Sequence, residues 1–419
     1  MVGTRASTIV LGAGLQGAGV ALELARRGLP STLIERDACA IHRASLRNEG
    51  KIHLGFIYAN DRSLATADLQ LEGALRFRRI VASWMNGSDD WLERSTPFQY
   101  LVAADSVVAA HDLASHYAAV EARHHEWLRG DEGLDYLGLR LDQLVRPLAA
   151  TELAAFFEPS RLEAGFATAE LAIDTDVLAM HVRRSLADSP LVTFLPAHLA
   201  RSITRGRHGF RVEGESPSGT WRIDSEQVVN ATWEHRLAFD RQLGVAPPAD
   251  LLHRLKYRVI AQLPTRLHGA PSVSMVLGRY GDIVVRRGGA AFLSWYPAGL
   301  RGWSHELVPP EDWDAPCRGE TPTALANEIR DQILAGIDAW FPGVADSETL
   351  RVDAGAIVAI GRSDVDDAAS ALHDRTRIGV ESDDGYHSVN TGKLTTAPLF
   401  AVEVANRVEA RTRRGAGSQ

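Results

Sequence analysis

Cysteine is almost missing from this chain: Cys39 and Cys317 are the only two among 419 residues. Neither sits in a metal-binding or redox spacing, which argues against a disulfide framework and makes a reducing compartment the default. Long apolar runs are missing too. None reaches the ~18 residues that a membrane span needs. The first one, Ile9-Val10-Leu11, leads straight into glycines and does not resemble a signal peptide. The expectation is a cytoplasmic protein with no membrane partner. There is also no basic stripe of the kind a phosphate backbone selects. The net charge is -8, and the longest basic cluster, Arg411-Thr412-Arg413-Arg414, lies beside a Gly- and Ser-containing tail and reads as a solvated terminus. No nucleic-acid partner is expected. No metal is expected either: Asp364, Asp366 and Asp367 read as a loop, because no second ligand cluster accompanies them.

What the chain does have is enough length for two domains, each with its own core. Residues 7–11 read as a buried strand, 15–27 as a helix stopped at Gly28, and 31–35 as a second strand. This βαβ start implies a parallel sheet covered on both faces. Between the first strand and its helix lies Gly12-Ala13-Gly14-Leu15-Gln16-Gly17. Gly12 permits the tight turn, Gly14 admits a pyrophosphate against the backbone, and Gly17 lets the helix pack close to the strand. Leu15 and Gln16 open a helix whose N-terminal N–H groups and positive dipole end face the phosphates. Glu35 ends the second strand about 20 residues on, where an acid bonds ribose hydroxyls. Arg36 beside it is a further binding candidate. An acid at this place fits an adenosine ribose without a 2′-phosphate, which leaves FAD or NAD.

Further along, a helix over 63–84 is expected, capped by Asn60 or Asp61 and ended by Asn86-Gly87. A strand over 98–103 and a helix over 112–128 follow, with His124-His125 facing solvent. Short strands are expected over 191–194, 209–212 and 221–224, and a buried one over 226–231. Residues 255–303 are β-rich, a helix covers 323–340, and a turn at Gly392 precedes a helix over 396–409. The order describes an α/β protein: a Rossmann-type dinucleotide-binding domain from residues 1–96, 146–245 and 348–412. An antiparallel β-rich substrate domain from 97–145 and 246–347 is inserted in it, and 413–419 form a flexible tail.

The segment His42-Arg43-Ala44-Ser45-Leu46-Arg47-Asn48-Glu49-Gly50-Lys51-Ile52-His53-Leu54-Gly55 resembles the flavin-proximal segment of the D-amino acid oxidase superfamily. That superfamily includes glycine, sarcosine and L-2-hydroxyglutarate oxidases. Asn48-x-Gly50-x-Ile52-His53-x-Gly55, with Tyr58 beyond it, looks closest to the hydroxyglutarate branch. Gly385-Tyr386 and Thr391-Gly392-Lys393-Leu394-Thr395-Thr396-Ala397-Pro398 are similar to the superfamily's closing glycine turn and helix. Val228-Val229-Asn230-Ala231-Thr232 resembles the strand that runs under the cofactor. The resemblance implies FAD as cofactor. It implies FAD contacts from Ser45, Asn48, Gly50, Lys51 and Ile52, from Leu199, Ala231 and Thr232, and from Gly392, Lys393, Leu394 and Thr395. Three departures stand out. Trp233 replaces the glycine usual after the middle segment. The stretch Gly355-Ala356-Ile357-Val358 lacks the arginine with which amino-acid oxidases grip a carboxylate, leaving Arg362 as a possible substitute. Cys317 precedes the helix over 323–340, so it reads as an ordinary loop cysteine and not a flavin tether.

Enzymes of this kind remove a hydride from a carbon bearing N or O. His53 is the candidate base, since a histidine near neutrality suits a hydroxyl proton. Lys51, Tyr58 and Tyr296 complete the catalytic candidates, with Tyr280, Arg286 and Trp295 as further substrate contacts. By alternation Ser294 and Tyr296 share a strand face, with Trp295 opposite. The leading expectation is oxidation of a C–N bond in a small amine or modified amino acid. The alternative is oxidation of a C–O bond in a 2-hydroxy acid or sugar-acid-like substrate, and a non-catalytic flavoprotein is the third. A single glycine fingerprint argues against a second Rossmann site for NADPH. The partner expected is a small-molecule substrate; oligomeric state, electron acceptor and the mode of FAD attachment stay open.

Overall fold

The computed structural model describes residues 4–416 except 364, 366, 368, 374 and 375. Asp364 and Asp366 thus lie outside the described residues. Ile9, Val10 and Leu11 are buried on both faces, and strand Thr4–Leu11 sits in the middle of an eight-stranded sheet. It pairs in parallel with Ser31–Ile34 on one side and Gly219–Asn230 on the other. Val192–Leu195 and Tyr386–Asn390 extend the parallel core. Gly12 turns with a φ of +87°, and a Cβ on Gly17 would come within 1.9 Å of the Gly12 carbonyl oxygen. The helix Leu15–Arg26 can approach its strand only because both positions are glycine.

The second sheet has nine strands, in the order Leu300–Ser304, Leu251–Gln262, Ala290–Trp295, Gly281–Val285, Ser272–Val276, Phe98–Ala103, Leu162–Thr168 and Val145–Pro147, with Glu348–Ile360 also on Leu251–Gln262. The expected α/β architecture with a Rossmann-type half is the one found. The second sheet is not wholly antiparallel, because Ser272–Val276 and Phe98–Ala103 run in parallel. It also takes in Leu162–Thr168 and Glu348–Ile360, which the sequence pattern grouped with the nucleotide-binding stretches.

Other expectations shift with physical cause. The expected strands 221–224 and 226–231 fall on one strand, Gly219–Asn230, with Ala231 just past its end, and Ser225 in its middle turns its hydroxyl onto the Gln227 carbonyl. Asp61 holds the start of helix Ala65–Ser83, accepting the backbone N–H of Thr66 at 3.0 Å. His124 is buried on the inner face of helix Ala110–Gly130, not solvent-facing, and burial depresses its pKa to about 4. The last helix, Ala397–Ala416, continues through Arg413 and Arg414 into the expected tail. Cys317 lies buried in a short helix, Asp314–Arg318, not a loop, and burial pushes its thiol up to about 12. Among the described residues no helix is long and apolar enough to cross a membrane, and no cluster of His, Cys, Asp or Glu could hold a metal ion.

One ion-pair cluster joins the second sheet to the loop after the first. Arg258 and Asp353 stand directly opposite each other on neighbouring strands. Arg258 Nε lies 2.6 Å from Asp353 Oδ1, and both side chains are at most 2% exposed. Arg47 and Arg351 approach the other carboxylate oxygen at 3.2 and 3.1 Å. Arg258 Nη1 also donates to the carbonyls of Leu46 and Asn48, at 3.1 and 3.2 Å. Removing one partner of such a pair leaves a buried charge without compensation. Asp353→Ala should therefore cost about 3–5 kcal/mol of stability, read from denaturant unfolding. A loss under about 1 kcal/mol, the value of an exposed pair, would show that the cluster contributes little.

Candidate active site

Two cavities meet at Gly14, Ala44, Ser45, Ala231 and Ala356, and together form a channel between the sheets. The outer one, about 750 Å³, is lined by Gly12, Glu35, Arg36, Leu199 and Thr232. Its size falls in the roughly 300–1,000 Å³ range of small-molecule sites. The inner one, about 290 Å³, is lined by Gln16, Asn48, Lys51, His53, Tyr58, Tyr296, Lys393 and Leu394 among others.

The outer end has the features of a nucleotide cradle. Glu35 accepts the backbone N–H of Ala13 at 2.7 Å and of Asp37 at 3.0 Å, so it fixes the glycine turn while lining the cavity. Burial pushes its carboxyl above the usual range, and those two N–H groups pull it back in part. Arg36 donates to Glu234 at 2.8 Å. Across the cavity mouth Asp314 takes Arg43 at 2.6 Å, and it also pairs with Arg318. Gly14 lines both cavities, and a Cβ there would stand 3.0 Å from Ser45 Oγ. Ser45 Oγ in turn accepts the N–H of Leu15. A chain of small residues with polar groups at its rim thus runs from Glu35 to the inner cavity, which fits an extended dinucleotide.

At the inner end the two-residue strand Lys51–Ile52 places Lys51 and His53 against the second sheet. The His53 backbone N–H is held by Thr395 Oγ1 at 2.9 Å. Its ring is 3% exposed, and neither ring nitrogen has a hydrogen-bond partner. Nδ1 looks toward Glu170 at 3.9 Å and Nε2 toward Glu49 at 3.8 Å. Burial, then the charges of Lys393 and Lys51, hold the imidazole well below its usual pKa, so it is neutral at pH 7. An orphaned, neutral imidazole at a cavity wall is the mark of a group that meets a ligand.

Lys51 is equally buried but fully engaged. Its ammonium bonds Ser274 and Asp282 and lies 4.1 Å over the Phe98 ring. Burial alone would depress it, yet Asp282, Glu170 and Glu49 outweigh burial and raise its pKa. Glu170, wholly buried, accepts the Leu54 N–H at 2.7 Å and the Tyr100 hydroxyl.

The remaining expected residues divide. Ala231 and Thr232 line the channel, as do Gly392, Lys393 and Leu394. Gly50, Ile52 and Thr395 lie behind the wall and shape it. A Cβ on Gly50 would meet the Ile173 carbonyl at 2.1 Å. The Asn48 side chain is spent on its own loop, bonding Ala44, Ser45 and Gly50. Tyr296 leaves its strand as the first residue of a short helical turn but still lines the cavity. Arg286 is tied to Asp174, and Arg362 is exposed and tied to Asp250, so neither supplies a cation to the cavity. Glu170, Asp282 and the basic residues of strand Leu251–Gln262 escaped the sequence reading. Their signal was an acid inside an apolar run and a basic residue at every second position of a strand.

A family model described as FAD dependent oxidoreductase matches residues 7–407. A search of curated proteins finds no match. Several solved structures share the fold. Glycine oxidase from Geobacillus kaustophilus superposes with a TM-score of 0.67 at 15% identity, over 97% of this chain and 95% of that one. Iminodiacetate oxidase from Chelativorans sp. BNC1 gives 0.66 at 17%, over 96% and 95%. L-alpha-glycerophosphate oxidase from Mycoplasma pneumoniae, with FAD bound, gives 0.61 at 17%, over 96% and 94%. A channel shaped for a dinucleotide, with a glycine turn at one end and a buried histidine at the other, is what that family model spans, and this chain belongs to the FAD-dependent oxidoreductase family, an enzyme whose cofactor is FAD.

Proposed function

We propose that the enzyme oxidises a carbon bearing a hydroxyl group, with His53 as the base that takes the hydroxyl proton. The observation that carries this reading is the buried, neutral His53 ring with both nitrogens unpartnered at the cavity wall. FAD, when bound, supplies the acceptor for the hydride from the substrate carbon. Glu35 and the turn from Gly12 to Gly17 would hold the adenosine and pyrophosphate, with Arg36, Leu199, Ala231 and Thr232 along the same channel. Gly392, Lys393 and Leu394, at the positive end of the last helix, would face the flavin.

His53 Nε2 looks to the cavity side, where Glu49 also lines the wall, and Nδ1 looks to the enclosed Glu170. The tautomer with the proton on Nδ1 leaves Nε2 as acceptor and directs Nδ1–H to Glu170. Burial raises the Glu170 carboxyl above its usual range, while Lys51 and the hydrogen bonds from Tyr100 and Leu54 pull it back in part; Glu170 is then a positioning residue on the Nδ1 side of the ring. Lys51 keeps that side of the wall rigid through Ser274 and Asp282.

Oxidation of a C–N bond is the second reading. It is supported by glycine oxidase and iminodiacetate oxidase among the similar folds. Under it the amine binds neutral and His53 only orients it. An anaerobic panel of hydroxy acids and amines on the yellow protein, scored by flavin bleaching and product, separates the two readings.

His53→Asn should slow flavin reduction by roughly 100- to 10,000-fold while FAD stays bound. Because the folded enzyme holds this imidazole below its usual ~6.5, the native rate should rise with pH through an ionisation below that value. Only the deprotonated ring accepts a proton, so the plateau lies on the alkaline side, and the variant should lose the step. A modest loss with an unchanged profile favours the amine reading.

Glu35→Ala should weaken FAD binding by about 1.5–3 kcal/mol and leave the reaction catalysed unchanged. Gly14→Val should abolish binding, because a side chain there enters the channel. Titration of the apoprotein with FAD checks both; an unchanged affinity for Glu35→Ala would mean that the carboxylate serves only the turn.

A further inference from the structure

Strand Leu251–Gln262 carries basic side chains at three alternate positions, Arg254, Lys256 and Arg258. All three line the inner cavity. Arg258 is committed to Asp353. Lys256 is different. Its ammonium lies 4.2 Å over the Tyr296 ring, and it has no carboxylate within 4 Å among the described residues. An ammonium carries three donors, and the Tyr296 ring face satisfies none of them as a hydrogen bond.

The acids around it do not serve. Asp282 is bound to Lys51 and Ser274, and Glu49 faces His53. Tyr296 lies beneath this ammonium. Burial would raise its phenol, but Lys256, Arg254 and Lys393 outweigh burial and lower it below its usual range. Among the described lining residues the acids are Glu49 and Asp282, and Lys256 stands on the wall without a carboxylate within 4 Å, whereas Arg47 and Arg258 are paired with Asp353 and Lys51 with Asp282. Positive potential in a partly closed cavity favours an anionic ligand.

We propose that Lys256, beside Tyr296, is the anion subsite that holds a carboxylate or phosphate group of the substrate. This rests on the reading that the inner cavity seats the substrate next to His53, and it narrows the substrate to a small hydroxyl-bearing carboxylate or phosphate ester.

The test is equilibrium binding to the FAD-loaded enzyme, followed by the flavin absorbance spectrum during titration with malonate, inorganic phosphate and uncharged malonamide. Malonate or phosphate should perturb the spectrum saturably and malonamide should not. A response to malonate alone assigns a carboxylate substrate, and to phosphate alone a phosphate ester. Lys256→Met should weaken the responding anion roughly 10- to 100-fold, the loss of one charged hydrogen bond, with FAD content unchanged. Lys256→Arg should stay within a few-fold of native. If Lys256→Met does not retain FAD, Lys256→Gln takes its place in the same titration. The proposal is overturned if neither anion perturbs the native spectrum, if malonamide binds as tightly, or if the neutral variant binds the anion as native does. Binding is read without turnover, so failure of the hydroxyl reading leaves this outcome separately legible.

Discussion

The carboxylate of Asp353 is the point at which two strands of the second sheet and the active-site loop are fastened together. Arg258 reaches it from the opposing strand and also grips the carbonyls of Leu46 and Asn48, so one guanidinium fixes both strand register and loop height. Arg47, from that same loop, closes on the carboxylate from the other side. His53 and Lys51 follow this loop directly, so the imidazole inherits its position from a salt bridge several residues earlier. Buried ion pairs rarely add net stability over apolar packing. Here the arrangement fixes where the loop lies, which apolar packing against a flat strand would leave free to slide.

The same logic explains why so much charge is enclosed. Lys51, Asp282, Glu170 and Tyr100 form a closed set of donors and acceptors around the wall. Each would be costly alone, and together they are satisfied. His53 stands at the edge of this set without joining it. Burial, then the charges of Lys393 and Lys51, hold it neutral, and under the proposed mechanism Glu170, 3.9 Å from Nδ1, would face the positive charge formed there. Electrostatic preparation of this kind needs no rearrangement at the moment of reaction.

Much of the fold was legible because it rests on backbone constraints that leave marks in sequence. The turn at Gly12 and the contact at Gly17 admit only glycine, and an acid ends the second strand. The position of His53 was legible through its motif. Glu170 and Asp282 were not, because their meaning depends on Lys51, which lies more than a hundred residues away from either. Arg254, Lys256 and Arg258 carried a readable period of two, but which face of that strand looks onto the cavity depends on the pairing with Glu348–Ile360. That strand is half-polar and begins beside an exposed loop, so its pattern hid its partner. Arg286 and Arg362 misled for the converse reason: a cation in the right stretch had already been claimed by a nearby aspartate.

The order of strands in the first sheet carries a consequence for synthesis. Thr4–Leu11 begins that sheet, yet its neighbour Gly219–Asn230 arrives only after the chain has crossed into the second sheet, and Tyr386–Asn390 arrives almost last. Helix Ala397–Ala416, which packs on Leu15–Arg26, is later still. Pairings of such long sequence separation form slowly, because loop closure precedes any reward. Until helix Ala397–Ala416 has been made, the helix after the glycine turn has one face uncovered. The inner end of the channel, lined by Gly392, Lys393 and Leu394, is thereby completed late, and a product lacking that helix exposes the apolar face of its first helix to other chains.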